Sequence, residues 1–127
     1  MKDRIIICFD FDGVIAEYSG WKGADVFGDP IPYTVNLMRK LKKDGYMVLI
    51  WTTRQVTPGI LEYLKKHEIP FDSINDNSHN PPNTSAKPIF DVFVDDRALN
   101  FYSGKTDLLG EIKKLLQLKG NVLKSAT

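Results

Sequence analysis

Short apolar runs alternate along this chain with stretches of helical spacing. Ile5 to Phe9 is a continuous apolar run closed by charge at Asp10, the pattern of a strand buried on both faces. Tyr46 to Trp51 is a second such run, Phe71 to Ile74 a short third and Phe90 to Val94 a fourth. The segments between them carry a different period. Tyr33 to Asp44 sets Val35, Met38 and Leu41 on one helical face, with Leu37 alongside, and Gly45 is a natural stop. Thr57-Pro58 opens a second helix with Pro at its first position and Ile60, Leu61 and Leu64 on one face. Asp107 to Leu118 reads as a last helix with Leu108, Leu109, Ile112, Leu115 and Leu116 turned inward. Two stretches have neither period: Val14 to Tyr33, rich in Gly, Pro and aromatics, reads as irregular or hairpin-like, and Asn75 to Asn83 is a polar, Pro-rich loop. No repeat or low-complexity tract is visible, and the tail after about residue 120 has little to anchor it.

Strands alternating with helices predict an α/β fold: a three-layer, Rossmann-like parallel sheet with helices on both faces. In a parallel sheet every strand ends on the same side. Asp10 and Asp12, Thr52 and Thr53, and Asp95 and Asp96 all follow apolar runs, so they should converge on one edge. That edge is where open α/β sheets bind ligands. Carboxylates brought this close repel unless a cation or a shared proton holds them together. A single Asp after a strand commonly just caps the next helix. Asp10-Phe11-Asp12-Gly13 after a buried strand instead points to a functional site.

Composition narrows the picture modestly. The 127 residues read as one domain, 1–127, with room for one sizeable core. A formal net charge of +1 makes no electrostatic case for nucleic acid or a membrane surface. Arg39-Lys40-Leu41-Lys42-Lys43 is a local basic cluster that reads as the solvated side of an amphipathic helix. No apolar stretch approaches the ~20 residues that span a bilayer. Met1-Lys2-Asp3-Arg4 runs directly into the first strand, which is read as the absence of a signal peptide. Cys8 is the only cysteine and cannot form an internal disulfide, so a reducing cytoplasm is the expected setting.

The acids supply hard oxygen ligands without Cys or His, which suits magnesium and argues against zinc. Thr52 and Thr53 offer hydroxyls and backbone amides at a strand end, and Lys87 offers a point charge just before the fourth strand. Together they provide donors for phosphate oxygens. Arg54 has two readings that the sequence leaves open: it binds a substrate anion, or it pairs with an acid at the sheet edge. Trp51 and Cys8 read as core, Arg97 as structural, His67 as a helix-end cation, and His79 as surface.

The chain resembles the haloacid dehalogenase superfamily of phosphohydrolases over nearly its whole length. That family's first motif, Asp-x-Asp-Gly after a strand, matches Asp10-Phe11-Asp12-Gly13; its second matches Thr52, its third Lys87, and its fourth Asp95-Asp96. The resemblance implies that Asp10 attacks phosphorus to form an aspartyl-phosphate and that Asp12 acts as general acid and base. It also implies Mg2+ held by Asp10, the Asp12 backbone carbonyl and Asp96, with Asp95 in support. An Asp at the second position of the first motif favours a phosphatase over dehalogenase or ATPase chemistry. The expected substrate is a phosphate monoester of unknown identity. Thr52-Thr53-Arg54 and Asp95-Asp96-Arg97 also resemble the phosphatase domains of polynucleotide kinases, without fixing a substrate.

Neither interval between the motifs is long enough for the separate cap domain that many members of the family carry. The cleft is therefore expected to stay open to a large substrate or to a neighbouring subunit in a homo-oligomer. Only Tyr18 to Tyr33 remains to shield it. That segment is expected beside Asp10, with Trp21 and Phe27 either lining the entrance or pinning the loop to the body. Two other functions compete with phosphatase activity. A receiver domain of two-component signalling shares the fold class, an acidic site, a Thr and a Lys-Pro. Its Thr follows strand four and its Lys-Pro strand five, whereas here Thr52 follows strand two and Lys87-Pro88 precedes the late acids. The other is a non-catalytic module that binds phosphate or metal on the same fold, although every catalytic position is filled.

Overall fold

The structure, a computed structural model, describes residues 4–120. The readings made for Met1 to Asp3 and for the tail beyond residue 120 lie outside the described residues. Seven elements follow one another: β1 (Ile6–Phe9), α1 (Pro32–Lys43), β2 (Met47–Ile50), α2 (Pro58–Lys66), β3 (Ser73–Ile74), β4 (Val92–Val94) and α3 (Leu108–Leu118). Each sits where the hydrophobic pattern expects it, the strands shorter by a residue or two. The result is an α/β, Rossmann-like fold built on a four-stranded sheet in the order β3-β2-β1-β4. Every pairing is parallel, with Phe9 beside both Ile50 and Val94, and Ile50 beside Ile74.

That strand order decides where the helices and the crevice lie. The steps from β1 to β2 and from β2 to β3 run in the same direction, so two right-handed crossovers put α1 and α2 on one face of the sheet. Val35 and Met38 of α1 and Ile60 and Leu64 of α2 accordingly join one buried cluster with Phe9, Val48 and Ile50. The chain then reverses and lays β4 on the other side of β1. The returning connection, 75–91, holds no helix. Cys8 and Leu49 point to the opposite face from Phe9 and Ile50 and are also buried. Burial pushes the Cys8 thiol up to about 12, so it stays protonated and serves as a small apolar side chain. Because the order reverses between β1 and β4, the crevice of such a sheet opens at their C-terminal ends.

Local chemistry fixes the helices. Pro32 and Pro58 stand in the first helical turns, where their missing N–H removes nothing. Thr57 Oγ1 caps α2 by accepting from the Ile60 N–H at 3.2 Å, and Asp107 caps α3 through the Gly110 N–H. The basic cluster of α1 is more than a solvated face. Arg39 donates to the carbonyls of His67 and Glu68, just past the end of α2, and Lys42 pairs with Asp72 at 2.6 Å, next to the start of β3.

The chain divides into two compact units at Asp96. The first carries the sheet, α1 and α2. The second, from Arg97, carries α3, which buries none of its residues. Leu108, Leu109, Ile112 and Leu116, expected to face inward, are exposed, and Leu115 is half-buried. The helical period of α3 is as predicted; the covering of its apolar side is not. Among the described residues no helix is long and apolar enough to cross a membrane.

Candidate active site

Asp10 follows the last residue of β1, and its N–H continues the sheet by donating to the Val94 carbonyl at 3.0 Å. Asp95 and Asp96 follow the last residue of β4 on the neighbouring strand. Topology therefore brings three acids distant in sequence to one point, and a carboxylate oxygen from each lies within 4.8 Å of the others. Asp10 is half-buried, and its Oδ1 accepts the Phe11 N–H at 2.8 Å. Burial pushes the Asp10 carboxyl up to about 7, helped by a hydrogen bond with Asp95 and by the charges of Asp95 and Asp96. An oxygen-only cluster that resists its own negative charge is a fitting place for a hard divalent cation.

Gly13 makes room for this cluster. It turns the chain at φ +83°, and a Cβ there would overlap the Asp96 carboxylate. Only glycine meets both demands, the left-handed backbone and the contact. Asp96 is thus packed against the turn that follows Asp12, while Asp95 bonds Asp10.

Asp12 is held differently. Its carboxylate stands outside the three-acid group and takes a two-point bond from Arg54, Nε to Oδ2 at 2.8 Å and an Nη to Oδ1 at 3.1 Å. The Arg54 side chain is 3% exposed and that of Asp12 15%. Of the two readings of Arg54, the structure realises the pairing with an acid at the sheet edge. Its remaining N–H groups go to the carbonyls of Gly23, Ala24 and Val26, which leaves none for a substrate anion.

Thr52 lies two residues past the end of β2, on the same edge. It is buried, and its Oγ1 accepts the Arg54 N–H at 3.1 Å, so the hydroxyl proton remains to be donated. Thr53 is exposed. The residue that shapes this turn is Asn75, just beyond β3. Its Oδ1 accepts from the Thr52 N–H at 2.8 Å and its Nδ2 donates to the Arg54 carbonyl at 3.0 Å. Sequence reading passed over Asn75 as the start of a loop. The available signal was its position: a polar residue at the end of a third strand, on the edge where the other polar clusters gather.

Lys87 lies in the irregular connection, exposed, with Nζ 5.6 Å from the centre of the Phe90 ring. Its charge reaches Cys8.

The 14–33 segment does lie beside the strand ends. Backbone bonds from Glu17 N–H to the Asp29 carbonyl and from Ile31 N–H to the Ile15 carbonyl, both 2.8 Å, close it into a hairpin-like excursion. Phe27 packs edge-on against Phe11, the residue between Asp10 and Asp12. Trp21 is 59% exposed and lies over the Arg54 guanidinium. Phe27 therefore pins the loop to the body, and Trp21 covers the Arg54 guanidinium.

Neither a family model nor a curated protein sequence matches the chain. Solved structures do. A conserved protein from Bacteroides thetaiotaomicron is 24% identical, aligns over 91% of this chain and 92% of its own, and superposes with a TM-score of 0.60. It shares the fold. A protein from Vibrio cholerae is 20% identical over 91% of this chain and 98% of its own, with a TM-score of 0.49.

Proposed function

We propose that the protein is a magnesium-dependent phosphatase of the haloacid dehalogenase type, acting on a phosphate monoester through Asp10. The observation that carries this reading is the convergence of Asp10, Asp95 and Asp96 at the point where the strand order reverses. Asp10, Asp96 and the Asp12 carbonyl would hold the cation, with Asp95 in support. Bound there, magnesium would offset the charge of the acids and of the substrate phosphate.

The chain's own residues divide the rest of the work. An Asp10 oxygen attacks phosphorus, and the bond from phosphorus to the leaving oxygen breaks as the aspartyl-phosphate forms. The leaving oxygen takes a proton from Asp12, which must enter this step protonated on a lone pair outside its two-point bond with Arg54. Water then attacks the phosphorus, gives a proton back to Asp12, and releases phosphate and the Asp10 carboxylate. The Thr52 hydroxyl is suited to donate to a phosphate oxygen, with Thr53 and Lys87 as further donors. Nothing in this scheme requires a cap domain.

The test is turnover of a simple aryl phosphate. Activity should vanish in excess chelator and return with magnesium, and Asp10→Asn should remove it altogether. Near-normal turnover by Asp10→Asn would make the nucleophile assignment wrong. Magnesium binding without turnover of any phosphate ester would leave the non-catalytic module as the better reading.

A further inference from the structure

Arg54 is placed unlike any other charged residue described. Its guanidinium carries five N–H groups, and the five acceptors around them come from two sources. Two are the oxygens of the Asp12 carboxylate. Three are backbone carbonyls of the 17–29 excursion: Gly23 at 3.3 Å, Ala24 at 3.1 Å and Val26 at 3.0 Å. Its faces are as occupied as its edge, with Phe27 at 4.8 Å, Trp21 at 4.9 Å and Phe11 at 5.6 Å from the guanidinium carbon. The excursion has further anchors. Asp25 accepts from the Thr57 hydroxyl at 2.7 Å, and the Tyr63 hydroxyl donates to the Gly28 carbonyl at 2.7 Å. These outer anchors hold the loop to α2, whereas Arg54 alone joins it to the acid–base residue.

We infer that Arg54 is a positioning residue that holds the Asp12 carboxylate and the 17–29 loop as one body. Docking of the loop and alignment of Asp12 then become a single event. The physical basis is the fork itself. A charged guanidinium buried this completely must keep its acceptors, and releasing either set leaves it with unmet donors in a water-poor setting. When the loop lifts, Arg54 loses three acceptors and two of its three aromatic neighbours, and Asp12 loses a fixed partner. When Asp12 is altered, the loop loses the charge that centres its guanidinium. Lysine cannot substitute, because a point charge cannot bridge a carboxylate and three carbonyls. The consequence for chemistry rests on the phosphatase reading above: Asp12 would be aimed at the leaving oxygen only in the docked state.

The experiment has two arms, one of which does not depend on activity. Hydrogen exchange is followed in the full chain for wild type, Arg54→Lys and Asp12→Asn. The amides of 17–29 should exchange at least about 10-fold faster in both variants, while those of β1 and β2 keep their protection. Asp12→Asn is the decisive one, since it nearly preserves shape and a merely structural Arg54 would keep holding the loop. Unchanged 17–29 exchange in Asp12→Asn overturns the coupling, whether or not Arg54→Lys folds and whether or not the protein is a phosphatase. The second arm compares an alkyl phosphate, whose leaving oxygen needs a proton, with 4-nitrophenyl phosphate, which leaves without one. Arg54→Lys should lose about 10²-fold in kcat on the alkyl ester and under about 10-fold on the nitrophenyl ester. Equal losses on both overturn the positioning of Asp12 by Arg54.

Discussion

At the scale of single residues, the site is governed by how charge is housed. Asp10 and Asp12 are two positions apart, yet one joins a crowd of acids and the other a buried cation. The strand end was legible for both, because a continuous apolar run closed by charge fixes where the chain emerges. The pairing of Arg54 with Asp12 was legible only as one of two readings of Arg54, since the contact depends on how the turn after β2 is held. Asn75 holds it, from a third strand. Asp10 gives a testable pH dependence. Its carboxyl stands at about 7 against an ordinary 3.8, so without metal the folded state binds that proton more tightly than the unfolded chain. This contribution to stability is fully present below the unfolded value and is lost as pH rises through about 7. Chelated wild type should therefore lose thermal stability between about pH 5 and about pH 8 more steeply than Asp10→Asn, whose amide does not titrate. Magnesium should restore more stability at the higher pH, where it has no proton to displace. Parallel pH profiles for the two chelated proteins would show that the acids are not crowded in solution.

At the scale of elements, both edge strands start with the same device, one the sequence pattern does not reveal. Before β3, the Asp72 N–H donates to the Val48 carbonyl while the Asp72 carboxylate accepts the Val48 N–H, each at 2.7 Å. Before β4, Asp91 exchanges the same pair with Ile6 at 2.8 Å. An aspartate ahead of a short strand thus replaces one missing rung of the ladder and fixes the register. That register carries Asp95 and Asp96 to the level of Asp10. In sequence these residues sit inside the short apolar runs read as strands three and four, and nothing there names their partners, which lie in strands far away along the chain. Asp72 also accepts from Lys42 of α1. Burial pushes its carboxyl up, but the Lys42 ammonium and the Val48 N–H outweigh it and hold it below the ordinary value. A lowered value has the opposite sign to that of Asp10: the stabilisation is present above the unfolded value and fades as pH falls through the folded one. Asp72→Ala should cost about 1–2 kcal/mol near neutral pH. The deficit relative to wild type should shrink in acid, as read by urea unfolding at a series of pH values. A deficit that is independent of pH would assign the loss to packing, not to the charged bond.

At the scale of the whole molecule, the topology was legible and the distribution of burial was not. Alternating periods dictated parallel strands, and parallel strands dictated one functional edge. Periodicity reports which side of a helix is apolar, however, and not whether anything covers it. Leu64 of α2 and Leu109 of α3 occupy similar positions in similar patterns. Leu64 is fully buried among the cluster around Phe9 and Ile50, while Leu109 is 62% exposed. The two helices consequently stand in different relation to stability. Truncating Leu64 removes apolar contacts and leaves a hole in packed surroundings, which costs about 2–5 kcal/mol. Truncating Leu109 removes side-chain surface that solvent already reaches, and such changes fall within about 0.5 kcal/mol. Leu64→Ala should thus shift the urea midpoint strongly and Leu109→Ala hardly at all. Neither lies among the acids or the Arg54 contacts, so the surviving native fraction of each should keep its affinity for magnesium. A loss of more than about 2 kcal/mol in Leu109→Ala would mean that α3 is covered in solution, either within the chain or by a second copy. Repeating the measurement over a range of protein concentrations separates these, because only an intermolecular cover weakens on dilution.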